Sequence, residues 1–358
     1  MANRILVMNM GSTSTKLAVY EDEINIWTKN ITHDKSAFKN FTHYTLQYDY
    51  RKAVVLEYLK SKNENLENFT AFVSRGGTIR PVSGGVFYIS EQMIEDGLSG
   101  KYGDHPCNLS MKLAFELAVQ YRAVALTVDP PVCDELCTEA TYSGLPEIER
   151  MAVFHALNQR AIARRYCDEH NKNYTNLNLI VAHIGGGISV GAHQRGKIID
   201  VNNALAGDGP FGLERSGSLP VGDLIKLCYS GKYTKEEMLH RVNGKGGVSA
   251  YIDESDGKVL ENRILLGDEY TLEVVSAMAY QVAKEIGAIA SVLNGEVDAI
   301  LLTGGLAYWD RFTNMITKKI GFIADIYIYP GEDEMLSLAN GAYRHINGIE
   351  LAKKLLNF

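Results

Sequence analysis

The chain has 358 residues, 46% of them apolar and 22% charged, with a net charge of −7. That length favours two domains, each with its own core. The acidic balance argues against a nucleic-acid groove, which needs an excess of Lys and Arg.

No apolar run approaches the roughly 18 residues of a membrane span, so no membrane is expected as a partner. The first strand begins within about four residues of Met1, too early for a signal peptide. The five cysteines include one close pair, Cys133 and Cys137, with no second pair beside it. Reduced thiols in a cytoplasm are the consistent expectation.

The first predicted element is a hairpin, RILVMNMGSTSTKLAVYE, running from Arg4 to Glu21. One apolar run leads into Asn9-Met10-Gly11-Ser12-Thr13-Ser14 and a second, after Lys16, leads away. Glycine lets a backbone approach a phosphate closely, and hydroxyl side chains add donors without bulk. A helix is predicted around Tyr50–Lys60, then a short strand running into Arg75-Gly76-Gly77. Apolar residues at three and four spacing predict a helix over Leu109–Val119, and Val124–Val128 reads as a strand ending at Asp129. The same spacing predicts a helix over Met151–Tyr166, with His155 inside it.

From Leu179 the plan of the first hairpin returns: an apolar strand, His183-Ile184-Gly185-Gly186-Gly187, then Ser189 and a returning strand. A long helix over Leu272–Leu293 precedes a strand running into Gly304-Gly305, matching the strand before Gly76-Gly77. Phe322–Tyr329 reads as a strand and Met335–Leu356 as a final helix. Alternating strands and helices predict an α/β fold, and the paired hairpins predict two like domains gripping one nucleotide. Gly144-Leu145-Pro146 interrupts the pattern, which puts the domains at 1–150 and 151–334, with a C-terminal helix at about 335–358 packing on the first.

No Walker-type loop and no Gly-x-Gly-x-x-Gly after a strand occurs, so the two commonest nucleotide folds are excluded. Arg75 follows an apolar strand, and Arg215 lies in the glycine-rich run Gly207–Gly217. A guanidinium so placed either presents its fork to a carboxylate or phosphoryl group or makes a surface ion pair. His105 lies in a turn before a helix, His155 within a helical pattern and His183 at the end of an apolar strand, positions open to a structural role as well as a catalytic one. Phe154, Pro210 and Phe211 flank these groups and either wall an apolar pocket for a substrate tail or pack in the core.

Taken in order, Asn9-x-Gly11-Ser12-x-Ser14-x-Lys16, Ser74-Arg75-Gly76-Gly77, Val128-Asp129-Pro130, Phe154-His155-Ala156-Leu157-Asn158-Gln159, Ala182-His183-Ile184-Gly185-Gly186-Gly187, Gly207-Asp208-Gly209-Pro210, Glu214-Arg215-Ser216-Gly217 and Leu302-Thr303-Gly304-Gly305 resemble the acetokinase family. The resemblance is strongest to its butyrate kinase branch. It implies two duplicated actin-like (ribonuclease H-like) ATPase domains with a nucleotide cleft between them, closing on their ligands. The implied activity is reversible transfer between ATP and a short-chain fatty acid, giving acyl phosphate and ADP, with Mg²⁺ and in a homo-oligomer.

By that resemblance Asn9 and Glu334 would hold the metal, with Glu332 a competitor for Glu334. Arg75 and Arg215 would bind the carboxylate and the transferring phosphoryl group. His155 would hydrogen-bond the developing charge, Asp129 would organise the arginine and metal surroundings, and His105 would be a further contact. Gly11, Ser12, Ser14 and Lys16 and the turn His183, Gly185, Gly186 and Gly187 would handle phosphates, while Gly304, Gly305 and Asp256 would approach the adenosine. Two departures are visible: Met10 replaces a small residue or proline, and Arg75 occupies a slot that is histidine in acetate kinases. Rival readings are an acetate or propionate kinase of the same family and a non-catalytic actin-like nucleotide-binding protein.

Overall fold

The structure is a computed structural model that describes residues 2–34, 38 and 41–355. It divides into two compact units, Met1–Asp134 with Asp333–Phe358, and Glu135–Glu332. The division falls earlier than the Gly-Leu-Pro interruption because the intervening segment is tied to the second unit. Cys137 N–H donates to Ile199 O at 2.8 Å, and Arg150 Nη2 meets Asp200 Oδ1 at 3.1 Å.

The first unit carries a six-stranded sheet: β1 (Arg4–Met10), β2 (Ser14–Glu21), β3 (Ile24–Thr32), β4 (Ala71–Ser74), β5 (Val86–Tyr88) and β6 (Val124–Val128), in the order β3-β2-β1-β4-β6-β5. Strands β1, β2 and β3 form an antiparallel meander, and β1, β4 and β6 run parallel. Leu6, Met8 and Phe72 on one face pack against Leu109 and Leu113 of the helix Cys107–Tyr121. Period-2 alternation puts Val128 on the other face, where it meets Gly341 of the helix Glu334–Ile346. A Cβ on Gly341 would lie 2.5 Å from Val128, so this helix seats closely only because the position is glycine.

The final helix ends well before the predicted Leu356. Gly348 turns into the left-handed region at φ +73° and donates to His345 O at 3.0 Å. Beyond it Lys353 pairs with the β5 backbone, its N–H donating to Val86 O at 2.8 Å.

The second unit repeats the plan with β7 (Asn178–Ile184), β8 (Ile188–Gln194), β9 (Lys197–Val201), β10 (Ala299–Gly304) and β11 (Ile326–Pro330), ordered β11-β10-β7-β8-β9. Its meander β7-β8-β9 and its parallel set β7, β10, β11 match β1-β2-β3 and β1, β4, β6 strand for strand. This shared topology is the duplication that the glycines alone carried weakly in the sequence. Ile180, Ala182 and Ile184 face Val275 and Met278 of the 24-residue helix Glu269–Val292. Leu179 and Val181 face Ile162, Ala163 and Tyr166 of the helix Ala156–Glu169. Among the described residues no helix is long and apolar enough to cross a membrane.

Candidate active site

Parallel strands of an open α/β sheet present their carboxyl ends together, and ligands bind there. In the first unit the register pairs Met8 with Ser74 and Ser74 with Thr127, so Asn9, Arg75 and Asp129 all emerge at one edge. In the second unit Thr303 lies beside both His183 and Tyr329, which brings His183, Gly304 and Glu332 to the matching edge.

The β1–β2 turn is closed by Gly11 N–H donating to Ser14 O at 2.8 Å, with Ser12 and Lys16 exposed. Beneath it sits Arg51, fully buried, a residue not predicted for the site. Its Nη2 donates to Ser12 O at 3.1 Å, Nη1 to Ser14 O at 3.3 Å, and Nε to Gln47 Oε1 at 3.0 Å. Burial pulls its pKa down to about 10, which still leaves it charged at neutral pH. The guanidinium therefore braces the turn through its carbonyls. Arg51→Ala is expected to destabilise the protein by about 3–5 kcal/mol in urea unfolding, because those carbonyls lose their donors and a cavity remains. A loss under about 1 kcal/mol would show that water replaces the arginine.

Glu334 opens the helix Glu334–Ile346 and is held on both oxygens: Arg75 Nε donates to Oε1, and Asn9 Nδ2 to Oε2 at 2.5 Å. Arg75 Nη1 is buried with no hydrogen-bond partner among the described residues. Asp129 is buried at φ +40°, its Oδ1 accepting from Gly85 N–H at 2.7 Å and its own N–H donating to Gly85 O at 2.9 Å. His105 Nδ1 accepts from Cys107 N–H at 3.2 Å. Burial first, then the positive charges of Arg51 and Arg75, hold its pKa below the ordinary value.

In the second unit His155 is the N-cap of the helix Ala156–Glu169, at φ −85° and ψ 56°, not an interior residue of a helix from Met151. The preceding segment has no regular structure, and its Val153 O accepts from Ala204 N–H at 2.9 Å. The His155 ring stacks on His183 with centroids 3.7 Å apart and planes 11° from parallel. His155 Nδ1 bonds Ser189 Oγ at 2.8 Å, and His183 Nδ1–H donates to Asn158 Oδ1 at 2.7 Å. Glu332 Oε2 lies 3.8 Å from His183 Nε2, so the two competing glutamates have different neighbours: Glu332 faces His183, and Glu334 faces Asn9 and Arg75.

Three glycine loops stack beside these rings. Arg215 lies across Gly187, where a Cβ would run into Nη1 and sit 2.5 Å from Cζ. Arg215 Nη1 donates to Ala204 O at 3.0 Å and Nε to Asn243 Oδ1 at 3.2 Å. A Cβ on Gly212 would come within 2.7 Å of Gly186 O, so these chains touch backbone to backbone. Gly304, at φ +92°, passes so close to Ile184 that a Cβ would lie 2.5 Å from its carbonyl oxygen. Gly305 opens the 3₁₀ turn that follows, and a Cβ there would meet nothing. Asp256 caps the helix Gly257–Leu265, accepting from Lys258 N–H at 2.8 Å, and Gly257 adjoins Leu306.

Of the three residues flanking the catalytic candidates, Phe211 packs in the main core of the second unit. Phe154 packs on Ala152, Ile198 and Val201, and Pro210 is buried beside Phe211.

Two buried rings give a pH signature. Burial and neighbouring cations hold His183 and His193 well below the ordinary value of 6.5. Above that pH the rings are neutral both folded and unfolded. Below it the unfolded chain takes up protons that the folded rings refuse, so stability falls as pH falls. The expected slope reaches about 1.4 kcal/mol per pH unit for each ring, read from urea unfolding between about pH 8 and pH 5. A flat profile there would mean that the folded rings protonate normally.

The fold and these edges define an actin-like α/β protein of two duplicated units. A solved acetate kinase of Porphyromonas gingivalis superposes with a TM-score of 0.77 at 19% identity, covering 95% of this chain and 99% of that one. In sequence, the profile of the Acetokinase family matches residues 143–315. A Clostridium acetobutylicum protein named Butyrate kinase 2 is 48% identical over 351 residues, 98% of this chain and 99% of its own. A Clostridium botulinum protein named Probable butyrate kinase is 45% identical over 353 residues, 99% of each chain. The chain belongs to the acetokinase family and, within it, to the butyrate kinase branch.

Proposed function

We propose that this protein is a butyrate kinase, moving the γ-phosphoryl group of ATP reversibly onto a short-chain fatty acid to give acyl phosphate and ADP. The reading rests on the full-length likeness to Butyrate kinase 2. The geometry supports it. A carboxylic acid with a pKa of about 4–5 is already ionised at neutral pH and needs no general base to attack. The difficulty is charge: an anion must approach a polyanion. One carboxylate oxygen forms the new bond to the γ-phosphorus while the bond to the ADP oxygen breaks, and cationic groups stabilise the oxygens between.

Arg75 brings a buried guanidinium nitrogen with no partner among the described residues, fit to receive the acid or the phosphoryl group, and Arg215 lies across the glycine turn that would carry ATP phosphates. His155 would hydrogen-bond the transferring group. Gly11, Ser12, Ser14 and Lys16 would contact phosphate, as would the turn from His183 to Gly187, and Gly304, Gly305 and Asp256 would approach the adenosine. Asp129, bonded to Gly85, would organise the metal and arginine surroundings, and His105 would lie near Arg75.

Among the described residues no group of three or more His, Cys, Asp or Glu converges on a metal position. A magnesium ion does not need one, since it binds one or two hard oxygens of protein and takes the rest from phosphates and water. The Glu334 carboxylate and the Asn9 amide, in contact at 2.5 Å, fit that description and would hold it. When bound it would neutralise phosphate charge. In this reading the enzyme is a cytoplasmic homo-oligomer.

The test is an acid series from acetate to hexanoate with Mg-ATP, trapping acyl phosphate with hydroxylamine. Each buried methylene contributes about 0.8 kcal/mol, near fourfold in kcat/KM, so preference should rise stepwise to four carbons. A maximum at acetate would instead make it an acetate kinase, and no acyl phosphate from any acid would revive the non-catalytic reading.

A further inference from the structure

Behind His155 runs a chain of buried polar groups that the proposed reaction does not use directly. Tyr174 Oη lies 2.8 Å from His193 Nδ1, and His193 Nε2 lies 3.0 Å from Gln159 Oε1. Gln159 Nε2 donates to Ser189 O at 3.1 Å and to Ser189 Oγ at 2.9 Å, and Ser189 Oγ meets His155 Nδ1 at 2.8 Å. Gln159, Ser189 and His193 are fully buried. The strand makes room for this chain: a Cβ on Gly191 of β8 would lie 2.5 Å from Gln159 Oε1, so only glycine admits the amide.

The direction of the links is argued from one fixed end. A backbone carbonyl only accepts, so the end of Gln159 that meets Ser189 O must be its NH₂ group. Its oxygen then faces His193, whose Nε2 must carry the hydrogen. Burial keeps His193 neutral, so its Nδ1 has a lone pair and accepts a hydrogen bond from the Tyr174 hydroxyl. The second amide hydrogen of Gln159 occupies one lone pair of Ser189 Oγ. If Ser189 also accepted from His155, its own hydrogen would be buried with no acceptor among the described residues, so that hydrogen goes to His155 Nδ1.

We propose that this directed chain sets the tautomer of His155, holding the neutral ring with Nδ1 as acceptor and the proton on Nε2. Gln159, Ser189 and His193 are positioning residues, and the proton that they place makes His155 a hydrogen-bond donor through Nε2. The catalytic consequence rests on the phosphoryl-transfer reading, in which the transferring group needs donors rather than bases. Asn158, the neighbour of Gln159 on the first turn, fixes His183 the opposite way, since His183 Nδ1–H donates to it. Two consecutive amides thus give the two stacked rings complementary tautomers.

The experiment uses the full chain labelled with ¹⁵N-histidine, in long-range proton–nitrogen spectra above pH 7. His155 is assigned by the signals lost in His155→Asn. The expected spectrum shows a protonated Nε2 and a bare Nδ1 for His155. Ser189→Ala and Gln159→Met should each mix the tautomers and lower kcat by about 10–100-fold, by analogy with removal of the groups that orient a metal-ligating histidine. KM for ATP should move less than about twofold, a split that general loosening of the fold would not give. A wild-type His155 carrying its proton on Nδ1 would overturn the proposal, as would an unchanged tautomer in both variants. The wild-type spectrum decides even where a variant does not fold. It also decides if no acid yields acyl phosphate, which would sink the kinase reading alone.

Discussion

Arg215→Ala is expected to lower kcat by about 10²–10³ while the protein still folds, the loss that follows removal of one preorganised donor to developing charge. The side chain is half-buried across Gly187, and burial lowers its pKa without discharging it. Its protein contacts are modest: the Ala204 carbonyl and the Asn243 amide oxygen. Losing two such bonds at a partly exposed position removes about 1–3 kcal/mol, less than most folds of this size possess.

A second variant separates the position of the guanidinium from its presence. Gly187→Ala puts a methyl where Nη1 now lies, and the flexible arginine end must swing away while the backbone stays. This variant should reproduce much of the Arg215→Ala loss, and the double variant should be scarcely worse than either single one. Steady-state rates in both directions, with a thermal melt of each variant, make the measurement. An Arg215→Ala enzyme within about fivefold of wild type would remove Arg215 from the phosphoryl site.

Much of this was legible in the sequence, and the reasons for what was not are local. Strands announced themselves because both sheets are covered on two faces, so β1, β4, β7 and β10 read as continuous apolar runs. The glycine turns were legible because φ above zero and backbone contact leave few alternatives at Gly76 or Gly304. The end of the last helix was hidden: Leu351 and Leu355 continue an apolar rhythm past Gly348, and only the tertiary pairing of Lys353 with β5 breaks it. His155 was misplaced for a similar reason, since Met151 and Phe154 extend the helical spacing upstream while the backbone bonds to Ala204.

Arg51 carried no signal at all. A basic residue on a helix reads as solvated, and two of its acceptors are main-chain carbonyls that leave no trace in composition. Gln159 and His193 were equally silent as single residues. What betrays them is the strand glycine opposite, Gly191, which has meaning only once β8 is in place.

Arg75→Ala is the other large effect, again about 10²–10³ in kcat, and the contrast with Arg80 shows why it is separable from stability. Arg80, five positions on, spends both Nε and Nη2 on the two oxygens of Asp96, at 2.6 and 2.8 Å, and is complete within the fold. Arg75 gives Nε to Glu334 and keeps Nη1 buried without a partner among the described residues. A buried donor left unmade costs about 1–3 kcal/mol, so an anion that fills it recovers that energy on binding.

Arg75→Lys should rescue little, because an ammonium cannot hold Glu334 and a ligand oxygen with one rigid fork. Arg80→Ala should leave kcat within about twofold and alter only the melting temperature. The measurement is kcat and KM for butyrate and ATP across the three variants. If Arg75→Lys matched wild type, charge alone would suffice and the orphaned Nη1 would mean nothing. If Arg75→Ala raised stability with turnover intact, that nitrogen would be strain in the fold and not a receptor for substrate.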